Sequence, residues 1–261
     1  MPESEALRND VRLLFDTVRE AGELGRSLAH KDVQRWTKPD GSQVTEGDLA
    51  INALFEERIR RWRPDDGWLS EETPDDHARM ARHKLWIIDP IDGTRSFIDR
   101  RSEWCVAAAL VENGRPVAAA VFRPMAEEFY TAVSGAGARL NDQPMNIPDS
   151  RELQGARIAG NRKALAGLEG SGIVGDISGA LPLQLRLAHV AAGRLDGAVS
   201  FGNRNDWDLA AGELLVIEAG GHVTDTAGDQ YIYNRPEPWQ QGLVAAGAKR
   251  HAALIRHLRS T

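Results

Sequence analysis

Two stretches near the start of the chain place apolar side chains at helical spacing. The first covers about residues 5–30 and the second covers residues 49–62, with charged side chains between the apolar ones. An apolar stripe of this kind predicts an amphipathic helix that packs against a core. Thr45 and Asp48, three positions apart, form an imperfect capping-box pattern, which predicts that the second helix begins beside them.

Shorter apolar runs, bounded by turn residues, predict β-strands in the middle of the chain. The run LWIID at residues 85–89 is typical of a buried central strand. Residues 106–122 hold two apolar runs around Asn113 and Gly114, a pair that favours a tight hairpin turn. Residues 128–144 continue the pattern of antiparallel strand and loop.

The pattern changes near Pro148, after which short strands alternate with helices up to a basic closing helix. No repeat, linker or low-complexity segment separates the two parts. We therefore predict one compact unit with two packed halves, residues 1–148 and residues 149–261. The fold class that this mixture predicts is an α/β or α+β sandwich.

Composition and charge narrow the function classes. The chain has 261 residues, and its 38 Asp and Glu outnumber its 32 Lys and Arg, which gives a formal net charge of −6. Because binding to nucleic acid depends on a basic surface, a nucleic-acid partner is disfavoured. The start lacks a basic, apolar leader, and no run reaches about twenty apolar residues, which predicts a cytoplasmic protein without a membrane span. The single cysteine, Cys105, lies in an apolar run and is predicted to be a buried thiol.

Carboxylates flank several predicted elements, although unpaired carboxylates are costly to bury. They are Asp48, Glu71, Glu72, Asp89, Asp92 and Asp208. Oxygen ligands without His or Cys nearby suit hard cations such as Mg²⁺ and Mn²⁺. For Asp48 and Asp208 taken alone, helix capping is the simpler interpretation. Asp89 and Asp92 follow a buried strand and are three residues apart, which favours a metal site.

The stretch DPIDGT, residues 89–94, combines features of a site for phosphate chemistry. Pro90 fixes the turn, Gly93 permits the close approach of a ligand, and Thr94 offers a hydroxyl. If a helix begins here, its free amides can bind an anion, and two cations can clamp the attacking water and the leaving oxygen. The spacing fits neither an EF-hand loop nor an aspartyl-nucleophile phosphatase, and no P-loop is present. A metal-assisted phosphomonoesterase remains.

Five short blocks along almost the whole chain together carry a family resemblance. They are VTEGD at 44–48, SEET at 70–73, DPIDGT at 89–94, WDLAAG at 207–212 and EAGG at 218–221. In this order and spacing they resemble the inositol monophosphatase family of lithium-sensitive, magnesium-dependent phosphatases. The resemblance implies a layered αβαβα sandwich of the inositol monophosphatase and fructose-1,6-bisphosphatase type, often as a homodimer. It also implies two or three Mg²⁺ ions, replaceable by Mn²⁺, and inhibition by Li⁺.

The resemblance implies metal ligands at particular positions. Glu71, Asp89 and the carbonyl of Ile91 would bind one metal ion. Asp89, Asp92 and Asp208 would bind the second. All of these except Asp208 lie in the first predicted half of the chain.

The resemblance also implies catalytic and phosphate-binding residues. Glu71 and Thr94 would orient and deprotonate the attacking water, and Asp48 would assist beside a weaker third metal ion. The backbone amides of Gly93 and Thr94 would hold the phosphate. Lys38 matches a family lysine near the third metal, and a solvated surface lysine is the alternative.

The identity of the phosphate ester is harder to predict. Inositol-selective members carry a Glu about seven residues before the last metal Asp, and Phe201 stands there in this sequence. The phrases LSEET, DPIDGTRSF and NRPEPWQQGLVAAG resemble the bacterial 3′(2′),5′-bisphosphate nucleotidase branch instead. The leading expectation is therefore hydrolysis of 3′-phosphoadenosine 5′-phosphate to AMP. Inositol-1-phosphate or histidinol-phosphate is the alternative substrate.

Three arginines near the motifs are candidates for substrate contacts. Arg186 stands where the nucleotidase branch usually has Lys, so it would meet a second phosphate or lie on a helix surface. Arg204 and Arg95 lie close to the blocks of the resemblance and are further candidates.

A function of another class is a regulatory protein that keeps the fold and binds RNA polymerase or RNA. The retained set of carboxylates favours catalysis, because a purely regulatory protein has no need of all of them. The acidic balance disfavours direct contact with RNA. A phosphomonoesterase that acts on a small phosphorylated metabolite is therefore the main prediction.

Overall fold

The structure is a computed structural model that describes residues 2–39, 41–148, 150–160, 162–166, 168, 170–176 and 181–260. In these residues the helices are α1 (Pro2–Ala29), α2 (Glu46–Trp62), α3 (Thr94–Ile98), α4 (Arg162–Ala166), α5 (Leu183–Ala191), α6 (Ala210–Glu218) and α7 (Ala248–Ser260). The strands are β1 (Arg35–Thr37), β2 (Gln43–Thr45), β3 (Gly67–Ser70), β4 (Lys84–Asp92), β5 (Cys105–Glu112), β6 (Arg115–Arg123), β7 (Glu128–Val133), β8 (Gly137–Leu140), β9 (Gln143–Pro144), β10 (Arg157–Gly160), β11 (Val174–Asp176), β12 (Gly197–Asn205), β13 (Gly221–Thr224) and β14 (Trp239–Gly247). Among the described helices, none is long and apolar enough to cross a membrane.

Most of the strands belong to two mixed sheets. Over the described residues, one sheet has seven strands in the order β3-β4-β5-β6-β7-β8-β9, and the other has five in the order β11-β10-β12-β14-β13. In the first sheet β3 runs parallel to β4, whereas β4 to β9 pair antiparallel with their neighbours. Because β3 and β4 are parallel neighbours, their carboxyl ends lie side by side at one edge of the sheet.

The elements with a clear period were predicted correctly. Helices α1 and α2 cover the two amphipathic stretches, and β4 covers the expected central strand. Asn113 and Gly114 join β5 to β6 with φ angles of 52° and 75°, as the predicted two-residue hairpin turn requires. Strands β1, β2 and β11 and helix α4 were missed, because elements of three to five residues show no readable period.

Helices and sheets alternate in layers. Helices α1 and α2 pack on one face of the seven-stranded sheet, where Phe55, Trp86 and Trp104 are fully buried. Helices α5 and α6 lie between the two sheets, in a core that includes Leu187 and, as predicted, the buried thiol of Cys105. Helices α4 and α7 cover the outer face of the five-stranded sheet. The predicted αβαβα sandwich is therefore confirmed.

The boundary predicted near residue 148 falls between the strands of the two sheets. The seven-stranded sheet uses strands from Gly67 to Pro144, and the five-stranded sheet uses strands from Arg157 to Gly247. Helices α5 and α6 of the second part pack against the sheet of the first. The division into two halves stays a prediction.

Candidate active site

A bulge in β4 puts Asp89 and Asp92 on the same face of the seven-stranded sheet. Residues three apart in a regular strand point to opposite faces. Here Asp89 pairs with Ala107 and Asp92 pairs with Cys105, so three steps along β4 match two steps along β5. Pro90 lies in the bulge, where its missing N–H removes no ladder hydrogen bond. Because of this bulge, the side chains of Asp89 and Asp92 lie on the same face of the sheet.

Three neighbouring elements bring further carboxylates to this edge of the sheet. Glu71 directly follows β3, next to the end of β4. Asp48 is the third residue of α2, and Asp208 ends a 3₁₀ turn before α6. Both close capping boxes, Asp48 with Thr45 and Asp208 with Asn205. Helix capping is therefore confirmed for both acids, and it leaves one oxygen of each for another contact.

Burial and mutual repulsion raise the pKa values of the acids in this cluster. The pKa of Asp89 lies well above its usual value because the side chain is buried and because Asp92 and Glu71 repel its charge. Burial and the charge of Asp208 raise the pKa of Asp92 to about 8. Burial and the charge of Glu71 raise the pKa of Asp208 to about 7. Burial also raises the pKa of Asp48 to about 7, and nearby glutamates add to this. We call Asp48, Glu71, Asp89, Asp92 and Asp208 the carboxylate cluster.

The carboxylate cluster has the donor chemistry of a Mg²⁺ site. Asp89 Oδ1 is buried and has no hydrogen-bond partner in the described part of the chain, so a cation would satisfy an orphaned oxygen. Asp92 Oδ2 accepts from the N–H of Gln184 at 2.6 Å, and its other oxygen remains. Asp208 Oδ2 accepts from the backbone N–H of Asn205 at 3.2 Å, and its other oxygen also remains.

The carboxylates do not converge on a single point in the described residues. Within the residues that the structure describes, no three His, Cys, Asp or Glu side chains are arranged to hold a metal ion. The charges nevertheless act on one another, since the pKa of Asp89 responds to Asp92, Glu71, Asp208 and Asp48. The donor chemistry of these residues, with the orphaned Oδ1 of Asp89, therefore fits a metal ion.

The hydroxyl of Thr94 connects two groups of the predicted set. Its Oγ1 lies 3.3 Å from Asp48 Oδ1 and 3.2 Å from the carbonyl oxygen of Ile91. A hydroxyl has one proton to donate, so it serves one of these acceptors at a time. Thr94 also begins α3, so the helix start that the sequence left as a condition is present. The structure thus brings Thr94, Asp48 and Ile91 together.

Lys38 reaches the cluster from the loop between β1 and β2. Its Nζ donates to Glu71 Oε1 at 3.0 Å and to Glu72 Oε1 at 2.7 Å. Although burial acts to lower it, the pKa of Lys38 is raised, because these glutamates favour the charged ammonium. Lys38 therefore lies within the site and neutralises part of its negative charge, and the alternative of a freely solvated lysine is wrong.

Gly93 occupies a backbone position that admits no side chain. Its φ is +100°, and a Cβ there would lie 2.8 Å from the carbonyl oxygen of Glu103. We expect Gly93→Ala to lower the free energy of unfolding by at least about 2 kcal/mol, because the left-handed backbone alone costs about 1–2 kcal/mol. The contact with Glu103 adds to that cost. Urea unfolding measures the change.

Gly135→Ala is the matched control for this substitution. Gly135 has a φ of +74°, and a Cβ there would meet no atom within 4 Å among the described residues beyond its chain neighbours. The control therefore carries the backbone cost without the steric contact, and we expect a loss of about 1 kcal/mol. Equal losses in the two variants would contradict the close approach at Gly93.

Two of the predicted substrate arginines lie near the cluster but make local contacts. Arg186 Nε donates to the carbonyl of Leu181 at 2.7 Å, and its charge acts to lower the pKa of Asp92. Arg204 donates to three oxygens of its own strand, β12, at 2.8 to 3.1 Å, and its charge acts to lower the pKa of Asp208. Both arginines thus contribute positive charge to the site. Direct contact with substrate stays a prediction for each.

Gln184, which sequence reasoning missed, connects the two sides of the cluster. Its backbone N–H donates to Asp92, its side-chain amide donates to the carbonyl of Trp207 at 2.6 Å, and its Oε1 accepts from the N–H of Gly212 at 2.8 Å. The side chain is 1% exposed. Gln184 therefore ties Asp92 to the segment that carries Asp208. A glutamine in the first turn of a helix carries no sequence signal that separates this role from a surface position.

Comparisons with known proteins agree with the resemblance. A model of the inositol monophosphatase family matches residues 7–261. The chain is 32% identical over 263 residues to the inositol-1-monophosphatase of Rhizobium meliloti (strain 1021), covering 94% of this chain and 95% of that protein. It is 36% identical over 236 residues to the Nus factor SuhB of Escherichia coli (strain K12), covering 84% of this chain and 88% of that protein. The crystal structure of the extragenic suppressor protein suhB from Bartonella henselae superimposes with a TM-score of 0.83 at 28% identity, covering 97% of this chain and 98% of that one.

These relatives confirm the family and support the alternative substrate better than the leading expectation. Their names favour the inositol-phosphate alternative over the bisphosphate nucleotidase branch, which is not confirmed. The chain belongs to the inositol monophosphatase family, and it is a phosphatase that hydrolyses phosphoric monoesters.

Proposed function

We propose that this protein hydrolyses the monoester of a small phosphorylated metabolite and uses Mg²⁺ as its cofactor. The observation that carries the proposal is the bulge in β4, which turns Asp89 and Asp92 to one face, within reach of the charges of Glu71 and Asp208. Such a cluster would repel a phosphate dianion unless cations lay between them. Its chemistry therefore supports a metal-assisted phosphatase.

The proposed metal ligands are four carboxylates and one carbonyl: Glu71, Asp89, Asp92, Asp208 and Ile91. Bound Mg²⁺ would polarise a phosphate oxygen and lower the pKa of the attacking water. The oxygen-only donor set and the orphaned Oδ1 of Asp89 support this assignment.

The remaining proposed roles belong to side chains and amides around the ligands. Glu71 Oε1 is held by Lys38, so its second oxygen is the one that would accept the proton of the attacking water. Thr94, next to Asp48, would orient that water through its hydroxyl. The amides of Gly93 and Thr94, at the start of α3, would hold the phosphate.

Inositol-1-phosphate is the first substrate to test, because the relative from Rhizobium meliloti is an inositol-1-monophosphatase. Phe201, at the position where inositol-selective members carry Glu, packs against the core between the five-stranded sheet and its outer helices. It offers no oxygen to a substrate hydroxyl, so other esters stay under consideration. They are histidinol-phosphate and 3′-phosphoadenosine 5′-phosphate.

Release of inorganic phosphate from these three esters tests the proposal. We expect turnover of at least one ester with Mg²⁺, loss of turnover with EDTA, and its return with Mg²⁺ or Mn²⁺. Inhibition by Li⁺ is expected from the family resemblance. The ratio of kcat/KM values ranks the esters. An absence of metal-dependent release from all three would overturn the proposal.

A second candidate is a regulatory function through binding to RNA polymerase or RNA. The observation that favours it is the similarity to the Nus factor SuhB of Escherichia coli. The net charge of −6 argues for a protein surface and against RNA as the partner. Phosphate release separates the two candidates, because this one requires no turnover.

Three expectations from the sequence remain predictions. They are the division into halves at residue 148, the homodimer that the resemblance implies, and the cytoplasmic location. Each is compatible with a small-molecule phosphatase.

A further inference from the structure

A cleft with positively charged side chains adjoins the carboxylate cluster. Its volume is about 350 Å³, which is in the range of small-molecule sites. Glu71 and Thr94 line it on the side of the cluster, and Arg95 and Arg101 line it as well, both with exposed side chains. We call this space the arginine cleft. A substrate with its phosphate at the cluster would extend directly into it.

Arg95 presents a free guanidinium to the arginine cleft. It directly follows Thr94 in the first turn of α3. Its side chain makes no hydrogen bond or ion pair within the residues that the structure describes. Structural arginines of this protein behave differently, since Arg79 pairs with Asp75. The donors of Arg95 are therefore available to a ligand.

Arg101 is held beside the same cleft by the start of α3. Its backbone N–H donates to the carbonyl of Ser96 at 2.9 Å, and its Nη2 donates to Ser96 Oγ at 3.2 Å. Its ion pair with Asp99 is 3.6 Å long, with 47% and 53% of the two side chains exposed. An exposed pair of this kind contributes little to stability, so the guanidinium can exchange it for a ligand anion.

The charge of the arginine cleft favours a particular class of substrate. The chain as a whole is acidic, with a net charge of −6, and the neighbouring cluster consists of acids. The two guanidinium groups therefore give this cleft a local positive charge on an otherwise acidic protein. The planar guanidinium matches the geometry of phosphate and carboxylate through paired hydrogen bonds. A neutral polyol would leave these charges unmatched.

We propose that Arg95 and Arg101 bind a second anionic group of the substrate, which is not hydrolysed. The preferred esters would then carry a phosphate or a carboxylate in addition to the scissile phosphate. This inference rests on the proposed function, because it places the scissile phosphate at the carboxylate cluster. It adds a substrate preference that applies to any alcohol that carries both the scissile phosphate and a second anionic group.

Two matched pairs of esters test the inference. Adenosine 3′,5′-bisphosphate is compared with adenosine 3′-phosphate, and 3-phosphoglycerate is compared with glycerol 1-phosphate. The members of each pair differ in the presence of the second anion. At low ionic strength we expect kcat/KM to favour the doubly anionic member by about 10- to 100-fold, which is the effect of a charge-assisted hydrogen bond. A preference in the first pair alone identifies phosphate as the bound group, and a preference in both identifies any oxyanion.

Substitution of the arginines then locates the effect. Arg95→Gln and Arg101→Gln should each move the kcat/KM ratio within a pair towards one. Arg100→Gln is the matched control, because Arg100 is also exposed but lines a different cavity, of about 200 Å³. We expect this control to keep both the ratio and the turnover of the wild type.

The possible failures can be told apart. Phosphate release with a ratio near one in the wild type, or a ratio unchanged in both arginine variants, would overturn the inference and leave the proposed function intact. An absence of release from every ester would overturn the proposed function, and the inference with it.

Discussion

Asp92→Asn is expected to lower kcat for phosphate release by about a thousand-fold, which corresponds to about 4 kcal/mol of transition-state stabilisation. The bulge in β4 gives Asp92 and Asp89 a common face, and Asp208 acts on the charge of Asp92. The neutral amide would remove one charged ligand oxygen from the proposed metal centre. It keeps an oxygen that accepts the N–H of Gln184, so the local hydrogen bond at 2.6 Å survives. Steady-state kinetics with saturating Mg²⁺ measure the loss.

The same substitution should leave the metal-free protein as stable as the wild type or more stable. Burial and the charge of Asp208 raise the pKa of Asp92 from 3.8 to about 8, so the folded state loses stability between these pH values, and the loss is complete once the side chain is ionised. Asparagine removes this charge. Asp65→Asn, at an exposed acid between α2 and β3, is the control and should change neither activity nor stability. Wild-type kcat in the Asp92 variant would exclude Asp92 as a ligand, and a joint loss of activity and stability would indicate a structural role.

The fold could be predicted where apolar residues recur at one regular spacing over a long stretch of sequence. Helices α1 and α2 each repeat their apolar stripe over several turns, and Asn113 with Gly114 fixes the turn between β5 and β6. Strand β11 has three residues and pairs with β10, while β10 also pairs with β12 much further along the chain. The position of such a strand depends on distant partners, so local sequence does not contain it.

The sequence was sufficient to predict which side chains could bind a metal ion, but not the tertiary contacts that position them. Asp89 and Asp92 could be identified from the sequence because they follow an apolar run together with Pro90 and Gly93, residues that are typical of a turn. That they share a face depends on pairing with β5, because the bulge exists only relative to that partner. The connecting role of Gln184 depends on how α5 meets β4, and the contacts of Arg204 with its own strand accompany a register shift between β12 and β14. These contacts join residues about ninety positions apart or follow from a local strand irregularity, and neither has a sequence period.

Mg²⁺ is expected to raise the melting temperature of the metal-free protein by about 5–10 °C. The pKa values of Asp48, Asp89, Asp92 and Asp208 are raised because burial and mutual repulsion oppose their ionisation. A bound cation would remove that repulsion. At a concentration of about 100 times Kd, binding contributes about 2.7 kcal/mol. About 1 kcal/mol shifts the melting temperature of a chain of this size by about 2–4 °C. Scanning calorimetry after EDTA treatment, with and without Mg²⁺, measures the shift.

The stabilisation by Mg²⁺ should grow with pH. A carboxyl whose folded pKa is raised to about 7 or 8 keeps its proton in the folded state below that value, and the folded state loses stability as the pH rises through it. Below about pH 6, protons compete with Mg²⁺ for the cluster, so the shift should be small, and above about pH 8 it should reach its full size. Asp92→Asn should lose most of the shift, whereas Asp65→Asn should keep it. An equal shift in both variants, or one independent of pH, would place Mg²⁺ binding outside the carboxylate cluster.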